Sequence, residues 1–107
     1  MMVCEALADD TRVKIVELLA QRDLTAGEIA ANFDVSRPAI SRHLRVLREG
    51  NLVTVTNDAT RRIYRLDPQP LRDLQGWLTR NERMIEARLD KLGAHLDDMA
   101  RKRKAKR

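Results

Sequence analysis

The segment VSRPAISRHLRVL, residues 35–47, decides the fold of this chain. Ser36 is suited to cap a helix N-terminus, and Pro38 fits the first turn, where a missing backbone N–H costs nothing. The apolar residues, spaced by four and then three, are Ile40, Leu44 and Leu47. This spacing gives the helix one apolar stripe. We therefore predict a helix over about 36–49 that buries one face and exposes serines and arginines on the other.

A second helix directly precedes this one. Thr25 suits its N-cap, and Glu28 stands three residues on, at the capping-box position. Asp34-Val35 leaves room only for a tight turn between the two helices. Two helices joined in this way form a helix-turn-helix, whose second helix places its N-terminal end in the DNA major groove.

The rest of the chain supplies helices, a hairpin and a long C-terminal helix. A short helix over 3–8 and a helix capped by Asp9 or Asp10 come first. Two β-rich runs, Leu52–Thr56 and Arg62–Leu66, flank a polar hairpin loop at 57–61. The predicted fold class is mostly α with a small β-hairpin (α+β), in one domain over 1–100, followed by a basic, disordered tail at 101–107.

The last predicted helix starts at Asp67-Pro68 and carries apolar residues at steps of three and four. From Ile85 to Met99 these steps are 4, 3, 4 and 3, the spacing of a coiled-coil seam. So small a domain has no room to bury this seam, so we expect a second subunit to share it. Gly76 and Gly93 are the points where we expect any bend or break.

Positive charge is concentrated in the middle of the chain. Residues 36–67 hold seven basic and three acidic side chains, whereas residues 1–35 hold three basic and seven acidic ones. The tail at 101–107 adds six basic residues, which accounts for the overall charge of +5. The charge of +4 in the segment that contains the predicted helix over about 36–49 therefore favours nucleic-acid binding, whereas the overall charge does not.

Several functional classes are disfavoured. A single cysteine excludes an internal disulfide, and no apolar run is long enough to span a membrane, so we expect a cytoplasmic protein with no membrane partner. The sequence shows no nucleophile–base pair and no metal triad, so we expect that the chain is not an enzyme. The alternative is a winged-helix protein-interaction module without specific DNA binding, but the arginine-rich reading face argues against it.

These segments resemble the ArsR/SmtB family of bacterial winged-helix repressors. The similarity covers about residues 4–80 and includes LADDTR at 7–12, LTAGEIA at 24–30, VSRPAISRHLRVL at 35–47 and RRIYRL at 61–66. It implies a winged helix-turn-helix repressor, dimeric through its first and last helices, on double-stranded DNA with an inverted-repeat operator. It also implies that a wing at about 57–61 touches the minor groove or its phosphates.

The site residues follow from the reading face and the resemblance. Arg42 is the best candidate for a bidentate guanine contact, while His43 either contacts DNA or packs beside Leu44. The candidate DNA-binding residues are Ser36, Arg37, Pro38, Ser41, Arg42, His43, Arg45, Arg61 and Arg62. The candidate dimer-interface residues are Leu7, Leu71, Leu74, Trp77, Leu78 and Ile85.

Metal-sensing members of the family carry paired cysteines in the recognition helix or Asp/His clusters in the last helix. This recognition helix has no cysteine, and the last helix has only His95 among aspartates that lack the family's spacing. The resemblance therefore points to the branch without those metal sites, and we predict no metal and no cofactor. A sensing role for Cys4 or His95, and the effector itself, stay open.

Overall fold

The computed structural model of the chain describes residues 2–105, and the side chains of residues 2–102. The elements in chain order are α1 (Met2–Ala6), α2 (Asp10–Gln21), β1 (Leu24–Thr25), α3 (Ala26–Ala30), α4 (Arg37–Glu49), β2 (Val53–Asp58), β3 (Arg61–Leu66), α5 (Gln69–Arg80) and α6 (Glu82–Ala105). The order α3, turn, α4, hairpin is the winged helix-turn-helix predicted from the sequence. None of the helices within residues 2–105 is long and apolar enough to cross a membrane.

Side-chain caps fix where the helices of the helix-turn-helix begin. The Thr25 hydroxyl accepts from the Glu28 backbone N–H at 3.2 Å, and the Glu28 carboxylate accepts from the Thr25 N–H at 3.0 Å, which completes the predicted capping box of α3. Ser36 caps α4 by accepting from the Ala39 N–H at 3.3 Å. Both caps were predicted from residue type and spacing alone.

Residues of α1–α4 and the sheet share one apolar core. The predicted stripe of α4 is fully buried in it, and Tyr64 of β3 is also buried there. The buried hydrophobic residues are Val3, Ala6, Ile15, Val16, Leu19, Leu24, Ile29, Ile40, Leu44, Leu47, Leu52, Val53 and Tyr64. Because one stripe of α4 faces this core, its opposite face is held toward solvent.

The sheet contains a strand that the sequence did not predict. Its order is β1-β3-β2, and Leu24 of β1 pairs with Tyr64 of β3. A two-residue strand is too short to show an alternating pattern, and its partner lies about forty residues away along the chain. Only the tertiary fold brings the two segments together.

The hairpin loop is shorter than predicted. We expected a loop over 57–61, but the ladder continues through the pairs Asn57↔Arg62 and Asp58↔Arg61. Only Ala59 and Thr60 remain between the strands, and Ala59 adopts a positive φ of 56°. Each additional ladder pair satisfies backbone groups that a loop would leave to water, which explains why the polar residues join the strands.

The C-terminal helix is broken, and the break lies at neither glycine. Asn81 separates α5 from α6, whereas Gly76 and Gly93 are both helical. The Asn81 side-chain amide donates to the Trp77 carbonyl at 2.8 Å, and the Asn81 backbone N–H donates to the same carbonyl at 3.1 Å. The side-chain amide of Asn81 thus shares a helical acceptor with its own backbone N–H at the position that separates the two helices.

The prediction of one domain over 1–100 stays a prediction. The described chain divides into two compact units, one up to Leu74 and one from Gln75 onward. The structure continues α6 to Ala105 where the sequence analysis expected a disordered tail, while residues 106 and 107 lie outside the described residues. Lysine, arginine and alanine favour helix, and the Asp98–Lys102 pair at 3.3 Å bridges one turn.

Candidate nucleic-acid interface

The outer face of α4 presents a continuous polar and basic surface. The exposed residues are Ser36, Arg37, Pro38, Ser41, Arg42 and Arg45. At this end Pro38 has no backbone N–H and the Ala39 N–H is bonded to Ser36, so the Arg37 N–H and the positive end of the helix dipole lie beside the Arg37 side chain. This end of α4 is therefore suited to bind an anion such as a DNA phosphate.

A basic cleft separates α4 from the hairpin. Its volume is about 490 Å³, and three guanidinium groups line it, those of Arg37, Arg61 and Arg62. Ser41 of α4 and Thr60 of the hairpin turn add hydroxyl groups to the lining. The structure thus brings together predicted DNA-binding residues that are about twenty positions apart in sequence.

Arg61 and Arg62, at the start of β3, each contact a neighbouring side chain. The Arg61 guanidinium lies 3.5 Å from the Glu28 carboxylate, and Arg62 lies over the Tyr64 ring at 6.0 Å from its centroid. The pKa of Glu28 is lowered, chiefly by the hydrogen bond from the Thr25 backbone N–H and also by the Arg61 charge. Both arginine side chains stay exposed, so these contacts direct them without removing them from solvent.

A second basic cleft lies on the other flank of α4. Its volume is about 310 Å³, and the residues lining it are Arg12, Ala39, Arg42, His43 and Val46. Arg42 is exposed at this cleft, whereas Arg12 is half-buried. Arginines therefore line clefts on both sides of α4.

His43 does not share the exposure of the other candidate contacts. Its side chain is only 22% exposed, and its Nδ1 lies 3.2 Å from Nη1 of Arg12 and 4.0 Å from the Asp9 carboxylate. Of the two alternatives for His43, the structure favours packing within the protein, although its main neighbours are polar groups of α2. Sequence reasoning missed Arg12 because its partner lies 31 positions away and no local pattern joins them.

The predicted interface residues fall into two groups. Leu7, Leu71 and Leu74 are half-buried against the core of the first unit. In the second unit Trp77 and Leu78 are 39% and 45% exposed, and Ile85 is half-buried. The seam of α6 is also exposed, at Leu89, Leu92, Leu96 and Met99.

Metal-ligating residue types do not cluster in the described part of the chain. No group of three His, Cys, Asp or Glu side chains within it is close enough to hold a metal ion. Cys4 and His95 are both exposed. The prediction that this chain has no metal site stays a prediction.

Comparisons with known proteins identify the family. The family model described as "Bacterial regulatory protein, arsR family" matches residues 9–55. The HTH-type transcriptional regulator Rv2034 of Mycobacterium tuberculosis is 50% identical over 76 residues, 71% of each chain. The transcriptional repressor SdpR of Bacillus subtilis is 37% identical over 71% of this chain and 84% of its own.

The fold agrees with solved structures of the same group. An ArsR-like transcriptional regulator from Rhodococcus sp. RHA1 superposes with a TM-score of 0.72 at 31% identity, over 85% of this chain and 86% of its own. This chain belongs to the ArsR family of bacterial DNA-binding transcriptional regulators, which are not enzymes.

Proposed function

We propose that the chain is a homodimeric repressor that binds an inverted-repeat operator, with α4 in the major groove and the hairpin on the adjacent minor groove or phosphates. The observation that carries the proposal is the exposed basic face of α4 with an arginine-lined cleft on each flank. Two copies related by a dyad would present two such helices to half-sites about one helical turn apart, ~34 Å. A regulator of this kind acts on the chromosome, so we place it in the cytoplasm.

The residues have separate roles in this proposal. Arg42 reads a base edge, because it is exposed on the outer face of α4 and its planar fork matches the two acceptors of guanine. Arg37, Arg61 and Arg62 bind phosphate at the cleft beside the hairpin, and Ser36 with its backbone N–H lies at the positive N-terminal end of α4. Ser41, Pro38 and Arg45 complete the surface that faces DNA.

Homodimer formation is supported by the apolar seam of α6. This seam repeats every three or four residues and is exposed at Leu89, Leu92, Leu96 and Met99. The seam offers the apolar contacts that association requires, and we assign α1, α5 and α6 to the interface.

The decisive experiment is selection of bound DNA from random duplexes with the purified full chain, followed by binding measurements on the selected site. A palindromic selected motif supports the proposal. Arg42→Ala is expected to cost about 1–3 kcal/mol on this site and to relax the preference at one base position of each half-site. The matched control is Arg48→Ala, which removes an exposed arginine from the last turn of the same helix. Equal losses for Arg42→Ala on operator and random DNA contradict a base-reading role, and no enriched motif contradicts the proposed function.

A further inference from the structure

The guanidinium of Arg12 connects the three helices α1, α2 and α4. Arg12 stands in the first turn of α2, and its Nε donates to the Ala6 carbonyl at 2.6 Å. Its Nη2 donates to the Glu5 carbonyl at 3.3 Å. These carbonyls belong to the last two residues of α1, where a helix leaves its acceptors without intrahelical partners. Arg12 therefore caps the C-terminal end of α1.

The remaining nitrogen of the same guanidinium reaches α4. Nη1 of Arg12 lies 3.2 Å from Nδ1 of His43. An arginine can only donate, so Nδ1 accepts this hydrogen bond and the ring proton of a neutral His43 is on Nε2. The Asp9 carboxylate completes the arrangement, because it accepts from the Arg12 backbone N–H at 3.1 Å and lies 4.0 Å from the same Nδ1.

This contact restrains the direction in which the outer face of α4 points. Successive residues of a helix are turned by about 100°, so holding His43 toward α2 also restrains Arg42. The buried apolar stripe of α4 already turns that face toward solvent. A hydrogen bond from a half-buried guanidinium, itself anchored on α1, adds a directional restraint.

We infer that Arg12 is a positioning residue for DNA reading, which acts through His43 and does not itself bind phosphate. All three of its nitrogens are engaged within the protein, and two of these contacts are to main-chain carbonyls. The inference rests on the proposed function, because it assigns to α4 the role of reading DNA. It also gives His43 a role other than the direct DNA contact that the sequence suggested.

The test compares Arg12→Gln, His43→Leu and their double variant on the selected operator and on random duplex. Each single variant is expected to weaken operator binding about three- to tenfold, with random DNA unchanged. The double variant should be no worse than either single one, because both remove the same contact. His43→Gln keeps an acceptor and should retain most of the affinity. Thermal unfolding curves give an assay temperature at which every variant is folded. If Arg12→Gln does not fold, Arg12→Lys takes its place.

Salt dependence separates positioning from phosphate binding. If Arg12 bound a phosphate, Arg12→Gln would weaken operator and random DNA alike and lower the slope of log K against log salt by about 0.9. That result, or additive losses in the double variant, overturns the inference. An unchanged slope with a selective loss on the operator supports it.

A measurement without DNA keeps this inference distinct from the proposed function. Backbone amide NMR shifts of α4 are compared between the unaltered chain and Arg12→Gln. Changes that extend along α4 beyond His43 show that the helix has moved and support positioning, whereas changes confined to His43 and its neighbours overturn it. An unaltered chain with no preference for any DNA sequence contradicts the proposed function, and these shifts still decide whether Arg12 positions α4.

Discussion

The two units of the chain place similar leucines in opposite surroundings. Up to Leu74, the apolar residues converge from four helices and three strands into a buried cluster. From Gln75 onward, none of the described residues is buried, although the apolar spacing along α6 is as regular as that along α4. Leu44 is 1% exposed and Leu89 is 61% exposed. Periodicity therefore predicts an apolar face, but whether that face is covered within the chain depends on which elements pack on it.

The largest expected effect separates these two leucines. Leu44→Ala leaves a cavity in a close-packed core and should lower the free energy of unfolding by about 2–5 kcal/mol. Leu89→Ala removes a side chain that the same chain does not cover, so at low protein concentration its effect should be within about 0.5 kcal/mol. Urea unfolding of both variants at matched low concentration checks the difference. Similar losses for the two variants would contradict it.

The second expected effect concerns the seam of α6. If a second copy covers this face, Leu92→Arg should raise the dimer dissociation constant at least tenfold, because burying a leucine is worth about 1.5–3 kcal/mol and a charge there would be desolvated. Sedimentation equilibrium measures this change. Lys91→Ala, on the neighbouring exposed position, is the control. A dimer equally strong in Leu92→Arg would show that α6 is not the interface.

The third expected effect distinguishes sequence-specific DNA binding by α4 from nonspecific electrostatic attraction of DNA by the basic tail at 101–107. Deleting residues 101–107 removes six positive charges. If these charges neutralise phosphates, binding to operator and random DNA should fall by the same factor, and the salt slope should fall by about 0.9 for each phosphate that the tail neutralises. Affinity measured over a range of salt concentrations tests this. Affinity and slope that do not change would show that the tail only aids solubility.

The smallest expected effect is a pH dependence at the start of α2. The hydrogen bonds from the Arg12 and Thr11 backbone N–H groups lower the pKa of Asp9 below its ordinary value of 3.8. The unfolded chain therefore binds this proton more tightly, so the stability from Asp9 is complete above about pH 4 and is lost as pH falls through the lower folded pKa. Asp9→Asn should match the unaltered chain near pH 7, because asparagine also caps well, and should lose less stability below pH 4. The free energy of unfolding of the two chains is measured as a function of pH. A difference between them that stays the same at every pH would contradict this prediction.

Local sequence determined the helix-turn-helix. The caps at Thr25 and Ser36 depend on side chains within three residues of the groups they bind, and the stripe of α4 depends on a spacing of three and four. Such short-range interactions can be recognised from the sequence because chain geometry already places the partners together. The family resemblance rests on the same segments.

Tertiary structure decided the features that join distant segments. The strand β1 exists only because β3 lies beside it, and the polar residues of the hairpin extend the ladder instead of forming a loop. The break lies at Asn81 although helix propensity disfavours glycine more than asparagine, so propensity alone pointed to Gly76 and Gly93. The contact between His43 and Arg12 also joins distant segments. The two residues are 31 positions apart, so no local pattern in the sequence indicates it. The sequence by itself thus determined that α4 has a basic face, and only the fold decided which of its side chains that face presents.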